Sequence, residues 1–363
     1  MKNFKKTLAI LLVVISLFAC EKEEESKTIY DNAKITIKNL SSGLSQVCGI
    51  YDTEERVVLK NLKKLVSIID NKKYNLPISF IRNFEKYCIP KDFLNKEINL
   101  KTDNKPQDTK YGIYTYVHTP SPHWEYTEAK DKIIFKFPSN PDKMENTDAT
   151  FTIYYYSRID NEKELTIYSL KNQTKANLSV NNKSIIEFKQ FIDISSLNTK
   201  LYINAIESFT KVSSYNILFN YDLTEDKTRT SILIKDNKKV LLRSVTEKTF
   251  AKQNSNYFIK KYKGNIELSN VKLDFEIDHE KIFDIIKESG LSNSAITPIN
   301  KAILADIYVD NEKVGILKLV SLGSIPFNFI IEFNDKTTMS DNTYRDFIEN
   351  VTDIIIKNQA SKN

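Results

Sequence analysis

Histidines are scarce in this 363-residue sequence, which limits the metal and acid–base chemistry that it can support. His118 and His123 flank the segment Thr119-Pro120-Ser121-Pro122, and the third histidine is His279. Two imidazoles this close in sequence could hold a transition metal, but the His-Glu-x-x-His helix motif is missing. The alternative interpretation places them at the end of a strand and in its loop. We therefore predict no metal site.

Sequence motifs that would contain a catalytic nucleophile are also missing. The seven glycines never cluster, so the sequence contains neither a Gly-x-Ser-x-Gly elbow nor a glycine-rich phosphate loop. Ser208-Phe209-Thr210-Lys211 fits the Ser-x-x-Lys motif of penicillin-binding proteins, but no Lys-Thr-Gly follows it. We predict no catalytic motif and no cofactor. A hydrolase that uses paired carboxylates stays open, because the fold and not the sequence spacing sets the distance between two carboxylates.

One aromatic segment has the residue types of a binding surface. Exposed tyrosine and tryptophan offer rigid contact area for proteins or sugars at a low entropic cost. The alternative interpretation is ordinary aromatic packing between neighbouring strands. The candidate residues are Tyr114, Tyr116, His118, Trp124, Tyr126, Tyr154 and Tyr156.

The first nineteen residues have the pattern of a signal peptide. Lys2, Lys5 and Lys6 precede an apolar run over residues 8–18, which is too short to span a bilayer as a helix. The run ends in Leu17-Phe18-Ala19-Cys20, which resembles the lipobox of bacterial lipoproteins. This resemblance implies cleavage before Cys20 and acylation of that cysteine, and two or three acyl chains hold a protein firmly on a membrane.

The residues after Cys20 carry a second resemblance. The run Glu21-Lys22-Glu23-Glu24-Glu25 is similar to the acidic export signal of Bacteroidetes-type surface lipoproteins. It implies an outer-membrane lipoprotein that faces the cell exterior, and a periplasm-facing lipoprotein is the alternative. A charged, solvated linker would have the same composition.

The other two cysteines, Cys48 and Cys88, would then lie in an oxidising compartment. A disulfide between them is one alternative, and two buried free thiols are the other. The charge balance excludes one class of partner: the signal segment has three lysines and no acid, so its removal lowers the net charge from +6 to +3. We therefore expect no nucleic-acid partner.

The apolar periodicity indicates helices first and strands afterwards. Val58, Leu62 and Leu65 have helical spacing after possible caps at Asp52 and Thr53, and Pro77 can begin a second helix. From about residue 110 apolar residues alternate with polar ones, as in residues 133–137, 149–156 and 327–333. Asp278 can cap a further short helix that ends near Gly290, and residues 344–357 form an apolar helical stripe.

Short segments rich in Asp and Asn separate the predicted strands. They occur at Asp160-Asn161, Asn181-Asn182, Asp236-Asn237 and Asp310-Asn311. Asn and Asp tolerate a positive φ, so these segments predict hairpin turns in a sequence poor in glycine.

These patterns predict an α+β fold in which a large antiparallel β-sheet, a meander of half-barrel-like form, carries N-terminal and C-terminal helices packed on it. We expect a signal peptide at 1–19, a lipidated cysteine with a flexible acidic tether at 20–34, a helical region at 35–105, and a β-rich region with a C-terminal helix at 106–363. The sequence leaves the oligomeric state undetermined.

The expected function is that of a non-enzymatic binding module for an extracellular protein or glycan. A carrier of an apolar ligand such as lipid, in a curved-sheet cavity, is the first alternative, by analogy of fold. A carboxylate-dependent hydrolase is the second.

The lipobox predicts that the protein incorporates labelled palmitate and sediments with membranes, and that Cys20→Ala abolishes both. Protease added to intact cells should degrade the protein while a periplasmic control protein stays intact. Membrane sedimentation of the Cys20→Ala variant would contradict the lipid anchor, and protection from protease would contradict surface exposure.

Overall fold

The structure, a computed structural model, describes residues 29–38, 54–74, 76–78, 80–82, 84, 110–156, 169–197, 200–253, 256–290, 292–321 and 328–339. Cys20, Cys48 and Cys88 lie outside these residues, as do the turn at 160–161 and the predicted C-terminal helix. The described helices are α1 (Ile29–Lys38), α2 (Glu54–Val66), α3 (Asn71–Tyr74), α4 (His279–Ser289) and α5 (Ile296–Lys301), with a 3-10 turn at Asn293–Ala295.

Sixteen strands are described. They are β1 (Gly112–Val117), β2 (His123–Glu128), β3 (Ile133–Phe137), β4 (Ala149–Tyr156), β5 (Ser169–Val180), β6 (Lys183–Leu197), β7 (Lys200–Val212), β8 (Tyr215–Leu223), β9 (Lys227–Asp236), β10 (Lys239–Gln253), β11 (Asn256–Leu268), β12 (Val271–Asp278), β13 (Ile303–Val309), β14 (Glu312–Ser321), β15 (Asn328–Phe333) and β16 (Thr338–Met339).

All sixteen strands belong to one open sheet. From β3 to β16 each strand pairs antiparallel with the next, which confirms the predicted meander. The exception is at the other end, where β1 pairs antiparallel with β2 and parallel with β3. The sheet is therefore mixed, and β2 is its edge strand at this end. The predicted α+β class is confirmed.

The hairpin turns form where the segments rich in Asp and Asn predict them. Asn181 and Asn182 have φ values of 49° and 62°, and Asp310 and Asn311 have 51° and 69°. Asn237 has φ 51°. Two consecutive residues with positive φ are typical of a type I′ turn, whose twist matches that of the strands. Three of the four predicted turns are thus confirmed.

The described helices pack on one face of the sheet in two core clusters. The first core cluster joins α2, Tyr74 and the described residues of 76–84 to strands β1 to β10, and Phe84 and Phe151 are among its fully buried members. The second joins α1, α4 and α5 to β11–β16. Residues 78, 80–82 and 84 are helical, and the Ile81 amide donates to Pro77 O, so the helix predicted from Pro77 is confirmed over these residues.

Small polar residues lie among the apolar ones at the middle strands of this same face. Ser208 and Thr210 of β7 are buried between Ile206 and Val212, which belong to the first cluster. Thr230, Ser244 and Thr246 of β9 and β10 are half-buried, and Leu242 of β10 packs against both clusters.

The cap prediction at Asp278 is also confirmed. Its side chain accepts a hydrogen bond of 3.0 Å from the Lys281 amide, as an N-cap residue does. The helix ends at Gly290, which has φ 64°, a conformation that costs glycine little.

The tether prediction is corrected by α1, which begins at Ile29 inside the segment expected to be flexible. Asp31 and Lys34 form an ion pair of 3.5 Å along the helix, and Lys34 Nζ lies 5.2 Å from the centroid of the Phe333 ring. α1 thus packs against β15, about 300 residues later in the chain. Ala33 and Ile37, four residues apart, point into the second core cluster.

Docking of α1 predicts unequal effects for two isoleucines of the same helix. Ile37 is 0% exposed, so Ile37→Ala should lower the free energy of unfolding by about 2–5 kcal/mol through lost burial and a cavity. Ile35 is 41% exposed, so Ile35→Ala should change it by about 0.5 kcal/mol or less. Denaturant titration measures both, and equal effects would contradict the docking.

Candidate functional site

The aromatic segment lies in the core for the most part. Tyr114 is 0% exposed, and Tyr116 and Trp124 are also buried. Trp124 Nε1 donates a hydrogen bond of 3.0 Å to Leu65 O at the end of α2, and the Tyr114 ring stacks on Phe135 with centroids 5.3 Å apart. These side chains hold α2 on the sheet, so the shared exposed surface expected for them is corrected to core packing.

Burial also acts on the acidity of this cluster. It raises the pKa of the Tyr114 hydroxyl well above its usual value, and nearby Tyr126 and Tyr74 raise it further. The Tyr114 hydroxyl donates a hydrogen bond of 2.9 Å to Lys110 O, and the Tyr126 hydroxyl donates one of 3.0 Å to Tyr111 O. Both phenols therefore make structural hydrogen bonds.

The remaining candidates do not form one surface. His118 is half-buried and shares a hydrogen bond of 3.3 Å with the Tyr116 hydroxyl. Tyr154 is exposed, with Lys175 Nζ 4.8 Å from its ring centroid. The Tyr156 backbone belongs to β4, and its side chain lies outside the described residues.

The histidines of the proline-rich turn have separate partners. His123 is exposed, and its Nδ1 donates 2.8 Å to Ser121 O. Among the residues that the structure describes, no group of three or more His, Cys, Asp or Glu side chains could hold a metal ion.

The third histidine has the most unusual environment. His279 is 6% exposed at the first position of α4, and within the described part of the chain its Nε2 has no hydrogen-bond partner. Burial is the main cause that lowers the pKa of His279, and the Lys248 ammonium acts in the same direction while Asp278 opposes both. The resulting pKa is about 4. Sequence analysis did not single out His279, because its burial depends on β10 and β11 beneath the helix.

A groove with the features of a site lies on the opposite face of the sheet, which none of the described helices covers. Buried Leu273, Phe275 and Ile277 of β12 point to the helices, so the residues between them point away. The groove crosses β9 to β13 and encloses about 540 Å³. Strands lie about 4.8 Å apart, so five strands span about 19 Å.

Its first row consists of directly opposed residues with alternating charge. Arg229 faces Glu247, Glu247 faces Lys263, and Lys263 faces Glu276. The row ends at Leu304 of β13, which is 62% exposed. Arg229 is exposed and makes no ion pair within the part of the chain that the structure describes.

The second row lies two residues further along the strands. Val245 faces Asn265, Asn265 faces Asp274, and Asp274 faces Asp306. Two carboxylates directly opposite each other are destabilising unless cations compensate them. Lysines supply that compensation for both rows, with pairs at Lys263–Glu247 (3.4 Å), Lys261–Glu276 (3.5 Å), Lys272–Asp274 (2.6 Å) and Lys313–Asp306 (2.8 Å).

Gly264 sets the spacing of the groove floor. A Cβ at this position would lie 2.3 Å from Val245 O and 2.8 Å from Thr246 Cα. β10 and β11 can approach this closely only because the residue has no side chain.

Sequence analysis missed this groove. The segment Val271–Asp278 shows the alternation of apolar and charged residues that indicates a wet face. Five strands contribute to the groove, however, and sequence spacing alone does not say which wet faces meet. Comparison with protein families, curated proteins and solved structures found no match. None of the described helices is both long enough and apolar enough to cross a membrane.

The environment of His279 predicts a loss of stability in acid. Its pKa is about 4 in the folded protein and near 6.5 in the unfolded chain, so the unfolded state binds more protons between these pH values. Stability should therefore fall as the pH drops from 6.5 to 4, by on the order of 3 kcal/mol from this group.

His279→Leu should remove this part of the pH dependence, whereas His123→Leu, at an exposed histidine, should leave it unchanged. Denaturant titrations at pH 7, 5.5 and 4 measure the effect. The same acid sensitivity in His279→Leu as in the parent would contradict the assignment.

Proposed function

We propose that this protein is a non-enzymatic binding module, held at the bacterial envelope by lipid on Cys20, and that the groove on the face opposite the described helices contacts an extracellular protein or glycan. The observation that carries this proposal is the groove itself. It is open and about 19 Å across by strand spacing. Its carboxylates are already paired, while Arg229 and Leu304 stand exposed at its two ends.

The dimensions of the groove favour a macromolecule as the ligand. Small-molecule sites bury most of the ligand in a concave, mainly apolar pocket. This groove is open and charged side chains from five strands line it, so a partner with an extended surface would cover more of it. An exposed aliphatic residue such as Leu304 and an exposed arginine such as Arg229 supply an apolar anchor and five hydrogen-bond donors.

Placement at the envelope rests on the sequence. The lipobox-like Leu17-Phe18-Ala19-Cys20 supports lipidation, and the acidic run Glu23-Glu24-Glu25 supports an outer-membrane protein that faces the cell exterior. The periplasm-facing orientation is the alternative. The helix α1 begins nine residues after Cys20, which leaves a short chain between the lipid and the folded body.

Carriage of an apolar ligand fits this groove less well. A lipid tail needs an enclosed apolar lining, whereas charged side chains from five strands line the groove. Support for the carrier comes from the open antiparallel sheet with helices on one face.

A hydrolase is the second alternative, and one observation favours it. Asp274 and Asp306 lie directly opposite each other in the groove, as two carboxylates that act together would. Each already makes an ion pair, with Lys272 at 2.6 Å and Lys313 at 2.8 Å. Glycan hydrolysis by the parent that is lost in both Asp274→Asn and Asp306→Asn would establish this alternative.

If the groove binds the partner, Leu304→Asp and Arg229→Ala should each weaken the interaction about tenfold or more. Leu304→Asp removes the apolar anchor, and Arg229→Ala removes the exposed cation. Full-length protein in detergent micelles would be applied to arrays of glycans and extracellular proteins. Each positive spot would then be titrated with the parent and the variants.

Phe283→Asp is the matched control, since Phe283 is 60% exposed on α4, on the other face of the sheet. Its affinity should equal that of the parent. No spot above background, or equal weakening by Leu304→Asp and Phe283→Asp, would refute the groove as the contact surface.

A further inference from the structure

The helices on the second core cluster form a layer with one side on the sheet and one side outward. α4 contacts β11, α5 contacts β13 and β14, and α1 lies against Phe333 of β15. The layer exposes two large apolar side chains, Phe283 of α4 at 60% and Ile35 of α1 at 41%. Leu304 and the groove are on the opposite face of the same strands.

The chain between the anchor and this layer is short. Eight residues lie between Cys20 and Ile29, and the nine steps from one Cα to the next span at most about 32 Å when fully extended. Lipid on Cys20 would hold α1 within that distance of the membrane surface. A tether this short gives any surface near α1 a high effective concentration at the bilayer, so even a weak contact would be populated.

We propose that the outer side of the α1 and α4 layer rests on the lipid surface to which Cys20 is anchored, so that the groove faces away from the membrane. The proposal depends on lipidation of Cys20, which is part of the proposed function. Phe283 and Ile35 supply the apolar contact, because aromatic and aliphatic side chains partition into the headgroup region.

The charges of α4 define which lipids this contact needs. Lys281 and Lys287 are exposed next to Asp284 and Glu288, so the outer side of α4 is nearly balanced in charge. Electrostatic attraction to anionic lipids therefore contributes little, and the contact forms on a zwitterionic bilayer as well.

The native sequence allows a direct test, because it contains a single tryptophan. Trp124 is buried in the first core cluster, under α2, and gives a constant background. Phe283→Trp adds a reporter on the helix layer, and Leu304→Trp adds one on the opposite face. The two replaced side chains are matched in exposure, at 60% and 62%.

Full-length lipidated protein, purified from bacterial membranes, would be reconstituted with vesicles of phosphatidylcholine brominated on the acyl chains. Bromine quenches only nearby tryptophans. Flotation of the vesicles reports whether the protein is anchored, and the tryptophan emission of the floated fraction is compared with that on unbrominated lipid. The added emission of Phe283→Trp should fall about twofold or more, and that of Leu304→Trp should be unchanged.

Equal quenching of the two variants, or quenching of Leu304→Trp alone, would overturn the orientation. Quenching of Phe283→Trp that requires added phosphatidylglycerol would overturn the claim that the contact forms on a zwitterionic bilayer. These outcomes leave the anchor intact, because the protein still floats. Failure of the native protein to float would instead overturn the lipid anchor, and with it both the proposed placement and this inference.

Discussion

Backbone hydrogen bonding between neighbouring strands runs without interruption from β2 to β16, and the rest of the molecule is arranged around it. Antiparallel pairing fixes which residues share a face, since a shift of one residue would move every apolar side chain to water. The tight turns at Asn181-Asn182 and Asp310-Asn311 hold that register. With the register fixed, the apolar side chains share one face, and the described helices pack on that face alone.

The two faces consequently satisfy different physical requirements. On the covered face apolar side chains are buried against helices, and α1 takes part although it comes from the opposite end of the sequence. On the face that the described helices leave open, stability comes from ladder hydrogen bonds and cross-strand ion pairs such as Lys263–Glu247, each of which contributes little by itself. The side chains of that face are therefore less constrained by packing than those of the core clusters.

Local patterns in the sequence were sufficient to predict a β-rich region from about residue 110, three of the hairpin turns and the cap at Asp278, because each depends on residues close together in the chain. They failed for α1, whose Ile35-Thr36-Ile37 run is a poor helix former that packing against β15 stabilises. They also failed for the aromatic segment. Tyr114 and Tyr116 alternate as exposed residues of an edge would, and only the position of α2 shows that they are buried. The groove could not be predicted from local sequence patterns, because side chains from five strands line it.

The serine and threonine residues of the middle strands have a consequence for the heat capacity of unfolding. Ser208, Thr210 and Thr246 place hydroxyls and methyls where their neighbours on the same face place aromatic rings and long aliphatic chains. These side chains contribute little to the heat capacity change, which scales with the apolar area exposed on unfolding. Most of that change therefore comes from the aromatic and aliphatic side chains of the two core clusters, which meet at Leu242.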